Sequence, residues 1–220
     1  MDIRGVIFDL DGTLLDTLQD LADAANATLD RFGFPVHSTD AYRYFVGEGL
    51  MTLIERILPE KNRSQQEIAA CMDTFMQLYG QSWDLRSRPY EGIMEMLGQL
   101  HEAGLKLAVL SNKPHAFTQL CVQRFFPSDT FDFVYGQREG VPKKPDPSAA
   151  KEIAVLMQLE PQQILYVGDS ATDMQTGNGA GMFTMGVLWG FRERQELEKN
   201  KAGKIISHPS EIVNHVNNKR

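Results

Sequence analysis

The segment GVIFDLDGT, residues 5–13, carries the strongest structural signal in this chain. Its first four residues form a short apolar run, which is typical of a strand buried on both faces of a parallel sheet. Two acidic residues, Asp9 and Asp11, come directly after it, and Asp11 begins an Asp-Gly turn pair. Ligands of open parallel sheets bind beyond the carboxyl ends of the strands. The segment therefore predicts an α/β fold with an acidic site at one edge of the sheet.

Strand and helix patterns alternate along the second half of the chain. Four further apolar runs predict strands, and two amphipathic stretches predict helices. The strand runs are 107–110, 131–135, 164–167 and 182–188, and the helical stretches are 93–100 and 149–157. Strands that alternate with helices predict βαβ units. We therefore expect a Rossmann-like parallel sheet flanked by helices.

One long region interrupts this alternation. Residues 16–86 contain helical patterns only, with apolar residues at helical spacing over 18–32 and a capping-box pair at Ser64 and Glu67. The region predicts an α-helical cap domain inserted after the first strand. The expected division is an α/β core domain of residues 1–15 and 87–220, a cap domain of residues 16–86, and hinges at 16–17 and 86–90.

Composition narrows the classes of function. The chain has 220 residues, a net charge of −7, 42% hydrophobic residues and 23% charged residues. An acidic chain without a basic cluster is a poor partner for nucleic acid or an anionic membrane surface. No apolar run approaches the roughly 20 residues that span a bilayer, and the N-terminus lacks a signal-peptide pattern. Its two cysteines form no close pair, so we expect reduced thiols and a cytoplasmic protein.

Polar residues also come after two other predicted strands and occupy one loop. Because the carboxyl ends of parallel strands meet at one edge, we expect these side chains to gather near Asp9. They are Ser111, Asn112 and Lys113 after the run 107–110, Asp169, Ser170 and Asp173 after the run 164–167, and Lys144 in the loop 142–147.

The donor set at this edge fits a metal ion and a phosphate. Clustered carboxylates repel one another unless a cation neutralises them, and carboxylates without His or Cys suit Mg²⁺. Ser111, Asn112 and the backbone N–H groups of Gly12 and Thr13 can donate hydrogen bonds to phosphoryl oxygens. Lys144 can stabilise the negative charge that develops in a transition state.

The two acidic residues after the first strand have chemically different expected roles. Carboxylates form phosphoryl intermediates, so Asp9 is a plausible nucleophile beside a bound phosphate and metal. Asp11, two residues on, could protonate the leaving oxygen and later deprotonate water. These roles predict a phosphatase that acts through an aspartyl-phosphate.

The chain resembles the capped phosphatases of the haloacid dehalogenase superfamily. The motif at Asp9 to Thr13, then Ser111, Lys144 and the segment from Gly168 to Asp173 occur in the family's order. The resemblance covers essentially the whole chain, including a helical cap after the first motif.

The resemblance implies a role for each matching residue. It makes Asp9 the nucleophile and a metal ligand, and Asp11 the acid/base group that also binds metal through its backbone carbonyl. It implies that Asp169 completes the metal ligands and that Asp173 supports the metal site or orients Lys144. By the same resemblance, Ser111 holds the phosphoryl group and Lys144 stabilises it.

Within the superfamily, the chain looks most similar to phosphoglycolate phosphatases. The segments SNKPH (111–115) and FVGEGL (45–50) carry this similarity. Gly47 would allow a tight cap loop near the active site, Arg43 could meet a substrate carboxylate, and Glu48 could orient Arg43. The alternative for Arg43 is a solvated helix residue.

Several alternatives stay open at this point. Pyrophosphatases and sugar-phosphate phosphotransferases or phosphomutases share the core residues, although residues 16–32 lack the histidine that the mutases carry there. A non-catalytic protein that binds a phosphorylated ligand is a further alternative. The expected partner is a small phosphorylated metabolite, and the expected assembly is a monomer or a homodimer.

Overall fold

The computed structural model describes residues 2–218 and contains a six-stranded parallel sheet. The sheet order is β5-β4-β1-β6-β7-β8. Its strands are β1 (Gly5–Phe8), β4 (Lys106–Pro114), β5 (Phe133–Gln137), β6 (Ile164–Gly168), β7 (Phe183–Val187) and β8 (Lys204–Ile206). A separate antiparallel pair joins β2 (Leu15–Asp16) to β3 (Arg88–Pro89). The predicted α/β class with a parallel sheet is confirmed.

Ten α-helices surround or extend this sheet within the described residues. They are α1 (Leu18–Arg31), α2 (Tyr42–Phe45), α3 (Leu50–Ile57), α4 (Gln65–Tyr79), α5 (Ile93–Glu102), α6 (His115–Phe125), α7 (Ser148–Met157), α8 (Ala171–Ala180), α9 (Arg194–Lys199) and α10 (Ser210–Asn217). None of the helices in residues 2–218 has the length and apolar character needed to cross a bilayer.

Strand β1 lies in the middle of the sheet, between β4 and β6. Ile7 is in register with Ala108 on one side and Tyr166 on the other. Val6 and Phe8 belong to the core on the sheet face covered by α5, α6 and α10, and Ile7 belongs to the core under α7. This alternation follows the two-residue period of a strand. Burial on both faces explains the uninterrupted apolar run before Asp9.

Helices α1 to α4 have an apolar core of their own. Their packed residues include Leu21, Ile54 and Phe75, and the core also takes in Phe117 from α6 and Phe191 from the loop after β7. The predicted capping box is present, because Ser64 accepts from the Glu67 amide while the Glu67 carboxylate accepts from Ser64. The helical segment therefore packs as a unit that rests on the sheet at its carboxyl edge.

Two chain crossings connect the helical segment with the sheet. The outgoing and returning chains pair as β2 and β3. Beside this pair, the buried Asp20 carboxylate accepts from the Arg86 amide at 3.1 Å, the Ser87 amide at 2.8 Å and the Ser87 hydroxyl at 2.7 Å. One acidic side chain thus fastens the start of α1 to the returning chain.

Some predicted boundaries differ from the structure. The second strand continues from Leu110 to Pro114, with an irregular register against β5 over that stretch. The short β2, β3 and β8 lack a recognisable sequence signal, because strands of two or three residues offer too few positions for a periodic pattern.

Candidate active site

The turn after β1 brings acidic groups to the sheet edge. The Leu10 amide donates to Asp9 Oδ1 at 2.7 Å, and Gly12 has a φ of +83°. A Cβ atom on Gly12 would overlap the Asp169 carboxylate. Glycine is required here by both the backbone conformation and the close approach of the loop after β6.

Lys144 connects two of the strand ends. Its Nζ atom lies 2.8 Å from Asp9 Oδ1 and 2.8 Å from Asp173 Oδ1, and donates to the Leu110 carbonyl at 3.0 Å. Lys144 is only 3% exposed. Burial alone would lower its pKa, but Asp173 and Asp9 raise the pKa of Lys144 well above its ordinary value. Its ammonium therefore stays charged beside the Asp9 carboxylate.

Asp173 has two structural tasks at once. Its Oδ2 atom accepts from the Ser170 hydroxyl at 2.6 Å and the Ser170 amide at 3.1 Å, which caps the start of α8. Its Oδ1 atom holds Lys144. A Cβ atom on Gly168 would overlap the Asp173 side chain. Asp173 thus binds Lys144 through one oxygen, while its other oxygen caps a helix.

The carboxylates of Asp9, Asp169 and Asp173 form a buried acidic cluster, with one oxygen of each within 4.8 Å of the others. Burial, then Asp173, raise the pKa of Asp9 well above its ordinary value, although Lys144 opposes this. Burial and Asp173 also raise the pKa of Asp169 to about 7. Lys144 supplies one positive charge against three carboxylates, so the cluster fits a divalent cation bound by hard oxygen ligands.

Asp11 is held away from this cluster by two donors. Its Oδ1 atom accepts from the Thr17 hydroxyl at 2.6 Å and from Lys113 Nζ at 3.0 Å. Lys113 is buried, and its Nζ lies 4.9 Å from the centre of the Tyr79 ring. Burial opposes the charge on Lys113, but Asp11 raises the pKa of Lys113 well above its ordinary value. An ion pair therefore joins the turn after β1 to the end of β4.

Asn112 connects three segments through its side-chain amide. Its Oδ1 atom accepts from the Lys144 amide at 2.9 Å, and its Nδ2 atom donates to the Lys144 carbonyl at 3.0 Å and the Gly47 carbonyl at 3.1 Å. The amide thus fixes the loop that carries Lys144 and also contacts the helical segment. Phosphate binding by Asn112 stays a prediction, since its side chain contacts protein backbone.

The predicted phosphate donors are arranged differently from the expectation. The Gly12 amide donates to the Leu15 carbonyl at 2.8 Å, and the Thr13 amide donates to the Leu10 carbonyl at 3.3 Å. These bonds close the turn, so neither N–H group is free for a phosphate in this conformation. The Ser111 side chain is buried and lines the same cavity as Asp9.

Core side chains hold three successive carbonyls of the loop 46–49. Arg192 donates to the Val46 carbonyl at 3.0 Å, and Lys143 donates to the Glu48 carbonyl at 2.7 Å. The Gly47 carbonyl between them receives the bond from Asn112. These contacts seat the loop over the sheet edge.

The three predicted cap residues divide between two environments. Gly47 lines the cavity beside Asp9, with a φ of +106°. Arg43 instead pairs with Asp40 at 3.0 Å and donates to the Gly190 carbonyl at 3.1 Å, outside the cavity lining. Glu48 pairs with Arg56. The expected contact of Arg43 with a substrate carboxylate is therefore not supported, because Arg43 lies outside the cavity lining and two of its donors bind Asp40 and Gly190.

A cavity lies between the acidic edge and helices α1, α3 and α4. Its polar wall comes from the sheet side, and its opposite wall is almost wholly apolar. The lining residues are Asp9, Asp11, Ser111, Asn112, Lys113 and Pro114, with Leu21, Val46, Gly47, Gly49, Leu50, Leu53, Phe75, Met76, Tyr79 and Phe117. A site with one polar and one apolar wall suits a small molecule that has one strongly charged end.

Lys113 and Tyr79 lacked a predicted role. Lys113 follows the predicted strand 107–110, and the sequence pattern identified it only as a polar residue at a strand end. Tyr79 belongs to the apolar stripe of α4, where an aromatic residue ordinarily indicates core packing. Their proximity depends on how α4 packs over β4, which the sequence pattern does not specify.

Comparison with known proteins agrees with this fold. The family model of the haloacid dehalogenase-like hydrolases matches residues 6–187, so the chain belongs to that family and is a hydrolase. Among its relatives, it is 32% identical to the phosphoglycolate phosphatase of Psychrobacter arcticus, over 98% of this chain and 96% of that protein. It is 31% identical to the phosphoglycolate phosphatase of Aquifex aeolicus, over 98% of both chains.

A solved structure of a similar protein has the same fold as this chain. The crystal structure of a predicted phosphoglycolate phosphatase from Haemophilus somnus matches with a TM-score of 0.91 at 28% identity, covering 98% of both chains. The similarity extends over the helical segment as well as the sheet. The chain therefore resembles phosphoglycolate phosphatases over nearly its full length.

Proposed function

We propose that this protein hydrolyses a small phosphomonoester of the 2-phosphoglycolate type through an aspartyl-phosphate at Asp9. The observation that carries the proposal is the buried contact of 2.8 Å between Lys144 Nζ and Asp9 Oδ1 inside an acidic cluster beside a cavity. A carboxylate held next to a fixed ammonium, with Ser111 on the same cavity wall, suits nucleophilic attack on a phosphoryl group.

Mg²⁺ is the proposed cofactor. The carboxylates of Asp9 and Asp169 and the backbone carbonyl of Asp11 are the proposed ligands, with Asp173 supporting the site through Lys144. When bound, Mg²⁺ would neutralise the carboxylates and the phosphoryl oxygens. The unbalanced negative charge of the buried cluster supports this assignment.

The proposed reaction has two displacements at phosphorus. An Asp9 oxygen attacks phosphorus and the bond from phosphorus to the ester oxygen breaks. Asp11, which would leave its ion pair with Lys113 and take up a proton before this step, gives that proton to the departing alcohol. The Asp11 carboxylate then takes a proton from water while the water oxygen attacks phosphorus. The bond between phosphorus and Asp9 breaks, and inorganic phosphate leaves with Asp9 restored. Lys144 and Ser111 hold the phosphoryl oxygens in both steps.

We also propose that residues 16–86 act as a cap over the core of residues 1–15 and 87–220. The support is the separate apolar core of the helical segment and its two adjacent crossings at β2 and β3. Closure of such a cap would exclude water from the aspartyl-phosphate. The small cavity under the helices supports a small phosphorylated metabolite as substrate, and the similarity to phosphoglycolate phosphatases supports the 2-phosphoglycolate type.

Phosphate release from a panel of phosphomonoesters and pyrophosphate, with Mg²⁺ or with a chelator, tests the proposal. Turnover should require Mg²⁺ and disappear in Asp9→Asn, while far-ultraviolet circular dichroism of the variant stays unchanged. An Asp9→Asn protein with substantial activity would refute the nucleophile assignment. Transfer of phosphate to a sugar instead of water would identify a phosphotransferase, and the absence of any turnover would favour a binding protein.

A further inference from the structure

The cavity contains two polar groups that the proposed hydrolysis does not use. They are the Tyr79 hydroxyl on α4 and the Lys113 ammonium on β4. Tyr79 is 2% exposed, and its hydroxyl makes no hydrogen bond of ordinary geometry within residues 2–218, although the Lys113 ammonium is near enough to oppose the rise in the pKa of Tyr79. A buried hydroxyl without a partner is destabilising, and a ligand that supplies an acceptor would remove that cost.

Lys113 has donor capacity left for a ligand. An ammonium carries three N–H groups, and the bonds described for Lys113 Nζ go to Asp11, at 3.0 Å and 3.2 Å. Among the described residues 2–218, Lys113 is the only cationic residue that lines the cavity. Arg43, the residue expected to read a substrate carboxylate, lies outside this lining and is bonded elsewhere.

Both groups can donate to an anion. Burial raises the pKa of Tyr79, so its hydroxyl stays protonated. The Tyr79 ring lies next to Lys113, with 4.9 Å between the ring centre and Nζ. Ser111 and Lys113 are two residues apart on β4 and line the same cavity, so a phosphoryl group at Ser111 and an anion at Lys113 would be close together.

We propose that Lys113 Nζ and the Tyr79 hydroxyl form a subsite for a carboxylate on the substrate, separated from the phosphoryl group by one or two carbons. The two donors match the two oxygens of a carboxylate, and the surrounding apolar wall strengthens the attraction. This subsite rests on the proposed phosphatase function and gives it specificity. A carboxylate on Lys113 also competes with Asp11 for the ammonium, which frees Asp11 to approach the leaving oxygen.

The test compares 2-phosphoglycolate with isobutyl phosphate, which has a similar shape and lacks the carboxylate charge. The measured quantity is the ratio of kcat/KM for the two substrates in wild type, Tyr79→Phe and Lys113→Met. Wild type should prefer 2-phosphoglycolate. Loss of one hydrogen bond to a charged group should reduce this preference by about 10- to 100-fold in each variant. Tyr79→Phe removes an unpartnered hydroxyl, so its thermal unfolding midpoint should not fall.

Lys143→Met is the matched control, because Lys143 binds the Glu48 carbonyl and the Thr52 hydroxyl and is absent from the cavity lining. It should change kcat/KM for both substrates by the same factor. An unchanged ratio in Tyr79→Phe would overturn the subsite, even if Lys113→Met does not fold. Equal use of both substrates by wild type would overturn it while leaving the phosphatase function intact. A wild type that hydrolyses neither ester, nor any other phosphomonoester, would overturn the proposed function itself.

Discussion

Asp20→Ala should destabilise the protein strongly, because Asp20 holds the returning chain at the base of the helical segment. Its buried carboxylate accepts from the Ser87 amide at 2.8 Å and the Ser87 hydroxyl at 2.7 Å, and Ser87 is 6% exposed. Each buried donor left without a partner costs about 1–3 kcal/mol, so the two donors of Ser87 together cost about 2–6 kcal/mol. For a chain of this size, that loss lowers Tm by roughly 4–24 °C.

The measurement is thermal and urea unfolding followed by circular dichroism, in wild type, Asp20→Ala and the control Asp23→Ala. Asp23 is exposed on the same helix and interacts with Gln19. Its replacement should change the free energy of unfolding by no more than about 0.5 kcal/mol. Asp20→Asn keeps an acceptor oxygen and should fall between the two alanine variants. A loss below about 1 kcal/mol in Asp20→Ala, or one equal to that of Asp23→Ala, would refute the reasoning.

Three further predictions concern the acidic edge of the sheet. Because the pKa of Asp169 is raised to about 7, the metal-free fold should lose stability as the pH rises from 3.8 through about 7. Added Mg²⁺ should therefore raise Tm more at pH 8 than at pH 6, as measured by differential scanning fluorimetry. Asn112→Ala removes the bonds to Lys144 and Gly47, and should lower kcat/KM by about 10-fold or more in the phosphate-release assay. A Cβ atom on Gly190 would overlap Asp169 and a backbone carbonyl, so Gly190→Ala should lower the free energy of unfolding by about 1–3 kcal/mol and weaken Mg²⁺ binding in calorimetry. The control is Gly98→Ala, whose Cβ atom meets no atom within 4 Å and which should leave both quantities unchanged.

The acidic turn was predictable because it depends on short-range patterns. An apolar run long enough for one buried strand precedes Asp9, and the topology of a parallel sheet gathers the residues after its strands at one edge. The same reasoning placed Asp169 and Asp173 near Asp9, and the structure brings all three together. The separation of the helical segment from the sheet was likewise visible, as a change in hydrophobic period.

The contacts that long side chains make could not be predicted from these short-range patterns. Lys113 and Lys144 both come after the acidic turn in sequence, yet Lys113 pairs with Asp11 while Lys144 pairs with Asp9 and Asp173. Arg43 reaches the Gly190 carbonyl, 147 residues away. These choices depend on which helix packs over which strand.

The sequence by itself determined the sheet, the acidic edge and the class of chemistry, because strand period and the residues at strand ends are local properties of the chain. Only the tertiary structure decided which groups face the cavity. The apolar pattern of α4 predicts that Tyr79 is a core residue. Its position beside Lys113 results from the packing of α4 near the end of β4. Such contacts join residues distant along the chain, and they are fixed by packing complementarity, which a periodic pattern does not encode.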